Sequence, residues 1–417
     1  MSKIRVGIIG AGGRGILCFG RLFTTKFAGD VEIAGLADPN LVRAEAGVES
    51  LKIQVPVYES AEDLARRKDV DAVVVTTPDY LHESACVTAF KHGKHVLVDK
   101  PLATSARGCL NIMESAHKAK KLLYMGFNLR HVPVLHKLKE LVDAGAFGEI
   151  FSMQAIEYYN GGRTYMSRWN RLKKFTGGLF IHKGSHDFDI INWIMGRARP
   201  AQVSCFANVF TLNPRHLPFK TRPGLKPGPT CFVCPYVKEC PDVWPDYRPD
   251  TGDTLHHKMY GKKAAAVDGY RVDLCMYLSE KDTHDQGVAN ILYDNGATAA
   301  HSEYFVTPKH DRLYFVEGTK GHAEISLSDG RIEFLPRWTS DRVEYKISDP
   351  IGGHGGADSI MCAEFIRCLK KGLRPAASGI DGAWSVAIGE SCELSRVKNR
   401  MVKISEVLDV KHPLLKK

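Results

Sequence analysis

A glycine-rich turn directly after an apolar run at the start of the chain constrains the fold most. The run Ile4–Ile9 leads into Gly10, Gly12 and Gly15. The first glycine allows a tight turn out of a strand, the second lets the backbone approach a pyrophosphate, and the third allows close packing of helix on strand. The start of the helix then offers unpaired N–H groups to phosphates. Between a strand and a helix, this pattern predicts a dinucleotide site. Its predicted contacts are Gly10, Gly12, Gly13, Arg14 and Gly15.

Asp38 ends the second apolar run, just before Pro39. A carboxylate there would accept hydrogen bonds from the adenosine ribose and repel a 2′-phosphate, which favours NAD over NADP. Asp38 lies further from Gly10 than the roughly 20 residues that are usual, which predicts a longer helix or loop between them. A plain turn residue before proline remains an alternative for Asp38.

The first part of the chain alternates short apolar runs with helical patterns, as parallel β–α–β units do. Such alternation predicts a doubly wound sheet that binds ligands at the carboxyl ends of its strands. The predicted strands are 4–9, 31–37, 72–76, 95–98 and 122–125, and a helix is predicted at 81–92.

From Phe151 onward the apolar and polar residues alternate as in antiparallel strands. Asp294, Asn295 and Gly296 lie between two of these runs and predict a hairpin. We therefore predict two domains, 1–127 and 128–417, the second with an insertion rich in proline, glycine and cysteine at about 213–261. The predicted strands are 151–158, 201–211, 287–293, 297–305, 312–317 and 322–327, with helices at 359–371 and 382–398.

Composition excludes some classes of protein. The net charge of +10 is spread over the chain of 417 residues, whereas a nucleic-acid-binding protein more often shows a basic stripe or tail. No apolar stretch approaches the roughly 18 residues of a membrane span, and the N-terminal run reads as a strand rather than a signal peptide. We expect a cytoplasmic protein without nucleic-acid or membrane partners.

The insertion carries a Cys-x₂-Cys arm, Cys231 and Cys234, followed by Cys240. Metal binding is one physical way to order a loop of so little periodicity. Three thiolates need a fourth ligand, for which Cys275 is the first candidate and His256 or His257 the next. A structural zinc site, an iron–sulfur cluster, a disulfide and free thiols all remain open.

A crowded segment from Gly177 to Asp189 contains His182 and His186. Histidine suits proton transfer because its pKa lies near neutral. If the segment is helical, His182 and His186 share one face, and Asp189 could orient His186 or only pack the helix. Our hypothesis makes His186 an acid/base and His182 a substrate contact or proton carrier, with a structural histidine as the alternative for His182. Zinc binding by the pair is disfavoured, since Lys183 stands where the metalloprotease pattern has glutamate.

Lys100 follows the predicted strand 95–98, between Asp99 and Pro101. A lysine at such a strand end points into the cleft, where its ammonium group can stabilise a negative charge that develops on a substrate oxygen. A surface lysine is the alternative when this position is taken alone.

These motifs, taken in order, resemble the glucose–fructose oxidoreductase / inositol dehydrogenase / rhizopine-catabolism family. The motifs are the glycine turn, Ala37-Asp38-Pro39, Thr77-Pro78 with His82, Asp99-Lys100-Pro101, Gly126-Phe127-Asn128, Gly177-Gly178 with His186 and Asp189, Glu317–Gly321, His354–Asp358 and Ser378–Gly382. The resemblance implies an N-terminal Rossmann domain and a C-terminal α/β domain with a large open, mainly antiparallel sheet. It also implies a nicotinamide cofactor, a sugar or polyol substrate, and a homodimer or homotetramer.

The resemblance also assigns residues. Lys100 falls on the family's catalytic lysine and His186 on its catalytic histidine. His182 stands where many members have aspartate, which leaves the proton path open, and Asp99 replaces the usual glutamate. Asn128 and Arg130 fall beside the nicotinamide and the substrate. Further expected cofactor contacts are Thr77, Pro78, His82, Asp99 and Lys100, although His82 could equally be a residue that only begins a helix.

Arg168 and Trp169 precede the histidine segment on a polar loop. An arginine could bind a hydroxyl-rich or anionic substrate, and an indole face stacks on a sugar ring. An ordinary charged loop is the alternative. Together with Lys100, Arg130, His182 and His186, they make up the predicted substrate contacts.

We therefore predict an NAD-dependent dehydrogenase that acts on a hydroxyl of a sugar, glycoside or cyclitol. One alternative is a glycoside hydrolase or lyase of the same fold that oxidises a ring carbon, eliminates and reduces back. A second, less favoured alternative is a non-catalytic nucleotide or sugar sensor.

Overall fold

The computed structural model describes residues 2–244, 254–348 and 356–416. Residues 245–253 of the insertion lie outside these ranges, as do His354 and Gly355 of the motif that ends at Asp358. Two sheets organise the described residues, one of six strands and one of nine. The boundary we predict between two domains, at 127/128, stays a prediction.

The six-stranded sheet is built from the first part of the chain and is parallel throughout, in the order β3-β2-β1-β4-β5-β6. Its central strands are runs of buried Val, Ile and Leu, as expected for a sheet covered on both faces. All its strands end at the same edge. The strands are β1 (Ile4–Ile9), β2 (Val31–Ala37), β3 (Val57–Tyr58), β4 (Ala72–Val75), β5 (His95–Asp99) and β6 (Leu123–Gly126).

Helices connect these strands and cover both faces of the sheet. A π-helical segment, Arg14–Gly20, follows the glycine turn and continues into the first α-helix. Side-chain caps fix several helix starts; the Ser105 hydroxyl, for example, accepts a hydrogen bond from the Gly108 amide at 3.1 Å. The helices are α1 (Arg21–Thr24), α2 (Leu41–Leu51), α3 (Ala61–Ala65), α4 (His82–Lys91), α5 (Ala106–Ala119) and α6 (Pro133–Asp143).

The nine-stranded sheet has the order β14-β13-β12-β11-β7-β10-β9-β8-β15 and is antiparallel except where β10 pairs with β7. Residues Asp294, Asn295 and Gly296 connect β9 to β10, as predicted for a hairpin. The strands are β7 (Ile150–Tyr158), β8 (Pro200–Asn208), β9 (Gln286–Tyr293), β10 (Thr298–Tyr304), β11 (Asp311–Gly318), β12 (Gly321–Ser326), β13 (Arg331–Pro336), β14 (Val343–Lys346) and β15 (Val402–Lys403).

One face of this large sheet is covered by helices, and the other is open. Buried residues of β7 to β10 alternate with more exposed ones, as in a sheet with one solvated face. Among the outward-facing residues, Phe206 is 68% exposed and Leu292 is 39% exposed. The remaining helices are α7 (Gly162–Ser167), α8 (Lys173–Thr176), α9 (Leu179–His182), α10 (Ser185–Met195), α11 (Leu255–Tyr260), α12 (Lys262–Asp268), α13 (Ala357–Lys371) and α14 (Gly379–Lys398).

The fold class agrees with the prediction, and most predicted strands lie within a few residues of the observed ones. The short β3 and β15 and the strands β13 and β14 were not predicted. The insertion also contributes more regular structure than its composition indicates, since it contains α11, and α12 follows it directly. In the part of the chain that the structure describes, we find no helix with the length and apolar character of a membrane span.

Candidate active site

The glycine turn lies at the carboxyl edge of the six-stranded sheet. Gly10 has a φ of +99°, and a Cβ on it would approach the Thr77 backbone nitrogen to 2.6 Å. A Cβ on Gly15 would lie 2.1 Å from the Gly10 carbonyl oxygen. Only glycine therefore permits this turn and the close approach of helix to strand.

Asp38 lies beside the turn, at the end of β2. One of its carboxylate oxygens accepts a hydrogen bond from the Ala11 amide at 2.9 Å, and the other accepts one from the Asn40 amide at 2.9 Å. Burial raises the pKa of Asp38 even though Arg43 lies close to its carboxylate. The role predicted for Asp38, binding the adenosine ribose, stays a prediction. The position of Asp38 beside the glycine turn fits that role.

Arg14 links the glycine turn to the end of β5 and to the start of α13. Its guanidinium makes a bidentate pair with Asp99, with N–O distances of 2.9 and 3.0 Å, and bonds Asp358 at 3.1 Å. Asp358, at the start of α13, also accepts a hydrogen bond from Asn128 Nδ2 at 2.9 Å. Arg14 and Asp99 thus neutralise each other in a network that spans the edge of the sheet, instead of offering free charges to a cofactor.

Two buried polar atoms at this edge have no hydrogen-bond partner among the described residues: the Thr77 hydroxyl oxygen and Asn128 Oδ1. Burying such an atom without a partner costs free energy, so an unpaired one at a strand end indicates a ligand position. Together with the glycine turn, they fit a dinucleotide that lies across the edge.

His82 contacts two loops at this edge of the sheet. Its ring nitrogens lie 2.6 Å from the Pro101 carbonyl oxygen and 3.0 Å from the Thr77 carbonyl oxygen. The ring therefore joins the loop after β5 to the Thr77-Pro78 loop after β4. Both ring nitrogens of His82 thus hold the two loops together, and its contact with the cofactor stays a prediction.

Lys100 lies at the end of β5 and is directed toward the histidine segment. Its ammonium group donates a hydrogen bond to the His182 carbonyl oxygen at 2.5 Å. Burial lowers the pKa of Lys100 to about 8, while the carboxylate of Asp79 acts in the opposite direction. A cationic side chain with a pKa so near neutral can both stabilise an oxyanion and lose its proton within the physiological range.

His182 is fully engaged by protein groups. Its Nδ1 lies 2.6 Å from Asp79 Oδ2, and its Nε2 lies 3.0 Å from Asn170 Nδ2. The Asn170 amide must donate, so Nε2 accepts and the Nδ1–H donates to Asp79: the ring is neutral. Burial first, and then the cations Lys100 and Lys183, lower the pKa of His182. Both ring nitrogens thus have protein partners, and the role of His182 as a substrate contact or proton carrier stays a prediction.

Asp79 and Asn170 were missed by the sequence analysis. Asp79 is buried, and desolvation raises its pKa. The sequence did contain a signal for Asp79. Asp79 follows Thr77 and Pro78 just after β4, which places it at the same sheet edge as Lys100. Its pairing with His182, which is 103 residues away, had no local signal.

His186 lies in the first turn of α10 and is not part of the same helix as His182. Helix α9 ends at His182, and Lys183 and Gly184 separate it from α10, so the two histidines do not share the face of one continuous helix. The His186 ring lies 6.2 Å from the Phe127 ring, measured between centroids. Because Phe127 follows β6 and Lys100 follows the neighbouring β5, His186 and Lys100 face adjacent strand ends.

Arg130 is buried in an ion-pair network. Its guanidinium makes a bidentate pair with Asp189, at 2.8 and 2.6 Å, lies 3.1 Å from Asp381, and donates to the Ala376 carbonyl oxygen at 2.5 Å. These contacts use most of its hydrogen-bond donors, and the predicted role of Arg130 beside the substrate stays a prediction. The same contacts give Asp189 a partner, Arg130, that differs from the partner considered in the sequence analysis, His186.

Arg168 and Trp169 lie beside His182. The Trp169 ring meets the His182 ring edge-on at a centroid distance of 5.4 Å. The Arg168 guanidinium lies over the Trp244 ring of the insertion at 4.7 Å. The two side chains thus form the wall between the histidine segment and the insertion, which is compatible with the predicted substrate role for both.

The four cysteines proposed as zinc ligands, Cys231, Cys234, Cys240 and Cys275, are free and partly exposed. Backbone hydrogen bonds hold the segment, with the Cys231 amide bonded to the Asp273 carbonyl and the Cys275 amide to the Pro229 carbonyl. Within residues 2–244, 254–348 and 356–416, no group of three or more His, Cys, Asp or Glu side chains is placed to hold a metal ion. The structure therefore does not support the zinc site.

The fold and site define a two-sheet protein with a Rossmann-type dinucleotide edge facing a histidine-bearing helix. A model of the oxidoreductase family with an NAD-binding Rossmann fold matches residues 4–127, and the model of that family's C-terminal α/β domain matches residues 139–404. The chain belongs to this family of glucose–fructose oxidoreductase, inositol dehydrogenase and rhizopine-catabolism proteins.

Individual relatives are distant. The Bacillus subtilis protein YteT is 27% identical over 97% of this chain and 98% of its own length. The inositol 2-dehydrogenase/D-chiro-inositol 3-dehydrogenase of Halalkalibacterium halodurans is 30% identical, but over 46% of this chain and 53% of its own. A levoglucosan dehydrogenase solved with NADH has a TM-score of 0.73 over 97% of this chain and 99% of its own, at 15% identity, which shows a shared fold.

Proposed function

We propose that the protein is an NAD-dependent dehydrogenase that oxidises a secondary hydroxyl of a sugar, glycoside or cyclitol, or reduces the corresponding ketone. One observation carries this proposal. Lys100 and His186 face the ends of the adjacent strands β5 and β6, at the same sheet edge as the glycine turn and the unpaired Thr77 hydroxyl.

His186 would act as the acid/base on the alcohol. Removing a hydride from a carbinol carbon leaves a proton on oxygen, which a base must take. A nicotinamide dinucleotide, when bound, accepts that hydride. The Lys100 ammonium would hold the same oxygen and stabilise the negative charge that develops as His186 withdraws the proton.

Asp79, His182 and Asn170 would position Lys100. The Asp79 carboxylate fixes the ring of His182 on one side and Asn170 fixes it on the other, while the His182 carbonyl oxygen accepts from Lys100. The carboxylate also favours the protonated form of Lys100. In this proposal the His182 ring stays neutral during the reaction, and the Asp79 carboxylate raises the pKa of Lys100.

The proposed substrate class has two supports. Trp169 and Arg168 line the wall beside His182 and offer an indole face and guanidinium donors, which suit a sugar ring. Relatives with the same fold include proteins named as inositol and levoglucosan dehydrogenases. Asp38 supports NAD as the preferred cofactor over NADP.

The outer face of the nine-stranded sheet supports a homodimer or homotetramer. Phe206 of β8 and Leu292 of β9 are exposed there, and Val288 of β9 lies opposite Phe206. Exposed apolar side chains on a sheet face can mark a contact with a partner. The cytoplasmic location and the lack of nucleic-acid or membrane partners remain predictions from the sequence.

The test is a panel of sugars, glycosides and inositols offered with NAD⁺ or NADP⁺, in which NADH absorbance and release of an aglycone are followed together. A dehydrogenase forms NADH in step with product. A redox-neutral glycoside hydrolase or lyase releases the aglycone without net NADH and would replace the proposal. No response to any compound, from protein shown to bind NADH, would contradict the proposed substrate class.

A further inference from the structure

Two short helices, α11 at the end of the insertion and α12 directly after it, lie on the dinucleotide edge. We call residues 255–268, which contain both helices, the clasp. The Tyr260 hydroxyl accepts a hydrogen bond from the Gly13 amide at 3.0 Å, across 247 residues of sequence. That amide belongs to the group of N–H donors which a glycine turn presents to a pyrophosphate.

The clasp is tied to the end of β2, where Asp38 would hold the adenosine ribose. Asn40 Nδ2 donates to the Ala264 carbonyl oxygen and to Asp268 Oδ2, both at 2.8 Å. Arg43 donates to Asp268 at 2.7 Å and to the Met259 carbonyl oxygen at 3.2 Å.

Packing reinforces these ties. The Met259 side chain is 1% exposed and belongs to the apolar core beneath the six-stranded sheet, together with Phe19 and Phe365. The Arg43 guanidinium lies between two rings of the insertion, 5.5 Å from that of Tyr260 and 5.9 Å from that of Tyr270. Arg43 also approaches Asp38 at 3.5 Å, so it links the clasp to the ribose end of the site.

We propose that the clasp is part of the cofactor site and closes over the adenosine half of a bound nicotinamide dinucleotide. This inference rests on the proposed use of that cofactor. The Gly13 amide and the Tyr260 hydroxyl, which bond each other here, would both be donors for the pyrophosphate of a bound dinucleotide. The ties from Asn40 and Arg43 to Asp268 hold the clasp closed, so that the dinucleotide leaves only when the clasp opens.

The experiment measures NADH release without any substrate, by stopped-flow displacement of bound NADH with excess NAD⁺. Asp268→Ala removes the acceptor shared by Asn40 and Arg43, and we expect release to be faster by about tenfold, the size that one charged hydrogen bond accounts for. Lys263→Ala, an exposed position on the same helix, is the matched control and should release NADH at the wild-type rate. An unchanged rate in Asp268→Ala would overturn the proposal.

Tyr260→Phe tests the hydroxyl alone. We expect NADH release to be faster by about threefold to tenfold because a phosphate contact is lost. An unchanged rate would remove Tyr260 from the cofactor site.

A second measurement needs no variant. Hydrogen exchange of the amides in residues 255–268 of the wild-type protein should slow when NAD⁺ is added, because a closed clasp opens less often. Faster exchange would overturn the proposal, since it would mean that the clasp competes with the cofactor, and unchanged exchange would also overturn it. Because no substrate is used, failure of every sugar in the panel would leave this result standing.

Discussion

Two sets of polar side chains in the candidate site differ in how they are partnered. On the dinucleotide side, the Thr77 hydroxyl and Asn128 Oδ1 are buried without a partner among the described residues. On the side of the histidine segment, His182 and Arg130 are bonded by protein groups at nearly every polar atom. Unpaired atoms indicate where a ligand binds, and paired ones indicate what holds the reactive groups in place.

The largest expected effect comes from His186→Ala. Removing the proposed acid/base should lower kcat by roughly 10²- to 10⁴-fold, the usual contribution of a positioned proton acceptor. The Kd for NADH should stay near the wild-type value, because the proposal places His186 on the alcohol side of the site. Steady-state kinetics and NADH fluorescence titration check both. Wild-type turnover in this variant would remove His186 from the proposal.

Arg130→Met tests whether the Arg130 cation stabilises the fold or binds the substrate. It leaves Asp189 and Asp381 without their guanidinium, and we expect the free energy of unfolding to fall by about 3–5 kcal/mol. Urea unfolding measures this.

The control for Arg130 is the double variant Arg130→Met/Asp189→Asn, which should recover part of the loss because it removes one uncompensated charge. A raised KM with an unchanged free energy of unfolding would instead show that Arg130 contacts the substrate.

The pH dependence of kcat/KM should report Lys100. Since burial lowers the pKa of Lys100 to about 8, the ammonium group is present below about pH 8 and lost above it. In the direction of alcohol oxidation we therefore expect kcat/KM to fall about tenfold per pH unit above that point. Lys100→Arg keeps its charge over this range, so the fall should disappear even though the activity is lower. A fall at the same pH in Lys100→Arg would assign it to another group.

Asp79→Asn tests whether Asp79 acts through Lys100. The carboxylate raises the pKa of Lys100, so its loss should move the fall in kcat/KM to lower pH, with kcat reduced by about tenfold or less. Asp71→Asn, at a carboxylate paired with Arg5, is the matched control and should leave the profile unchanged. A profile that stays in place in Asp79→Asn would limit Asp79 to a packing role.

The smallest expected effect is that of Thr77→Val, compared with Thr76→Val. The Thr76 hydroxyl donates to the Gly10 carbonyl oxygen at 2.8 Å, so its loss should lower the free energy of unfolding by about 1 kcal/mol. The Thr77 hydroxyl has no such bond to any residue that the structure describes, so its loss should instead weaken NADH binding by about threefold to tenfold. Equal effects of the two variants on Kd and on unfolding would contradict the assignment of Thr77 to the cofactor.

Some features of the fold and the site could be predicted from the sequence, and others could not. The glycine turn and the strands β1 and β2 follow from local patterns, because apolar periodicity and glycine conformation act over a few residues. The pairing of Asp79 with His182, and of Tyr260 with Gly13, joins distant segments with no local signal. The break between α9 and α10 at Lys183 and Gly184 could not be predicted for another reason. The spacing of four residues between His182 and His186 fits one continuous helix as well as two separate helices.

A structure with NAD⁺ bound tests the central proposal most directly. We expect the nicotinamide to lie at the ends of β5 and β6, with Lys100 Nζ and a ring nitrogen of His186 both within about 3.5 Å of one point beside its reactive carbon, where an alcohol oxygen would lie. A nicotinamide bound elsewhere, or side chains of Lys100 and His186 on opposite sides of it, would contradict the account.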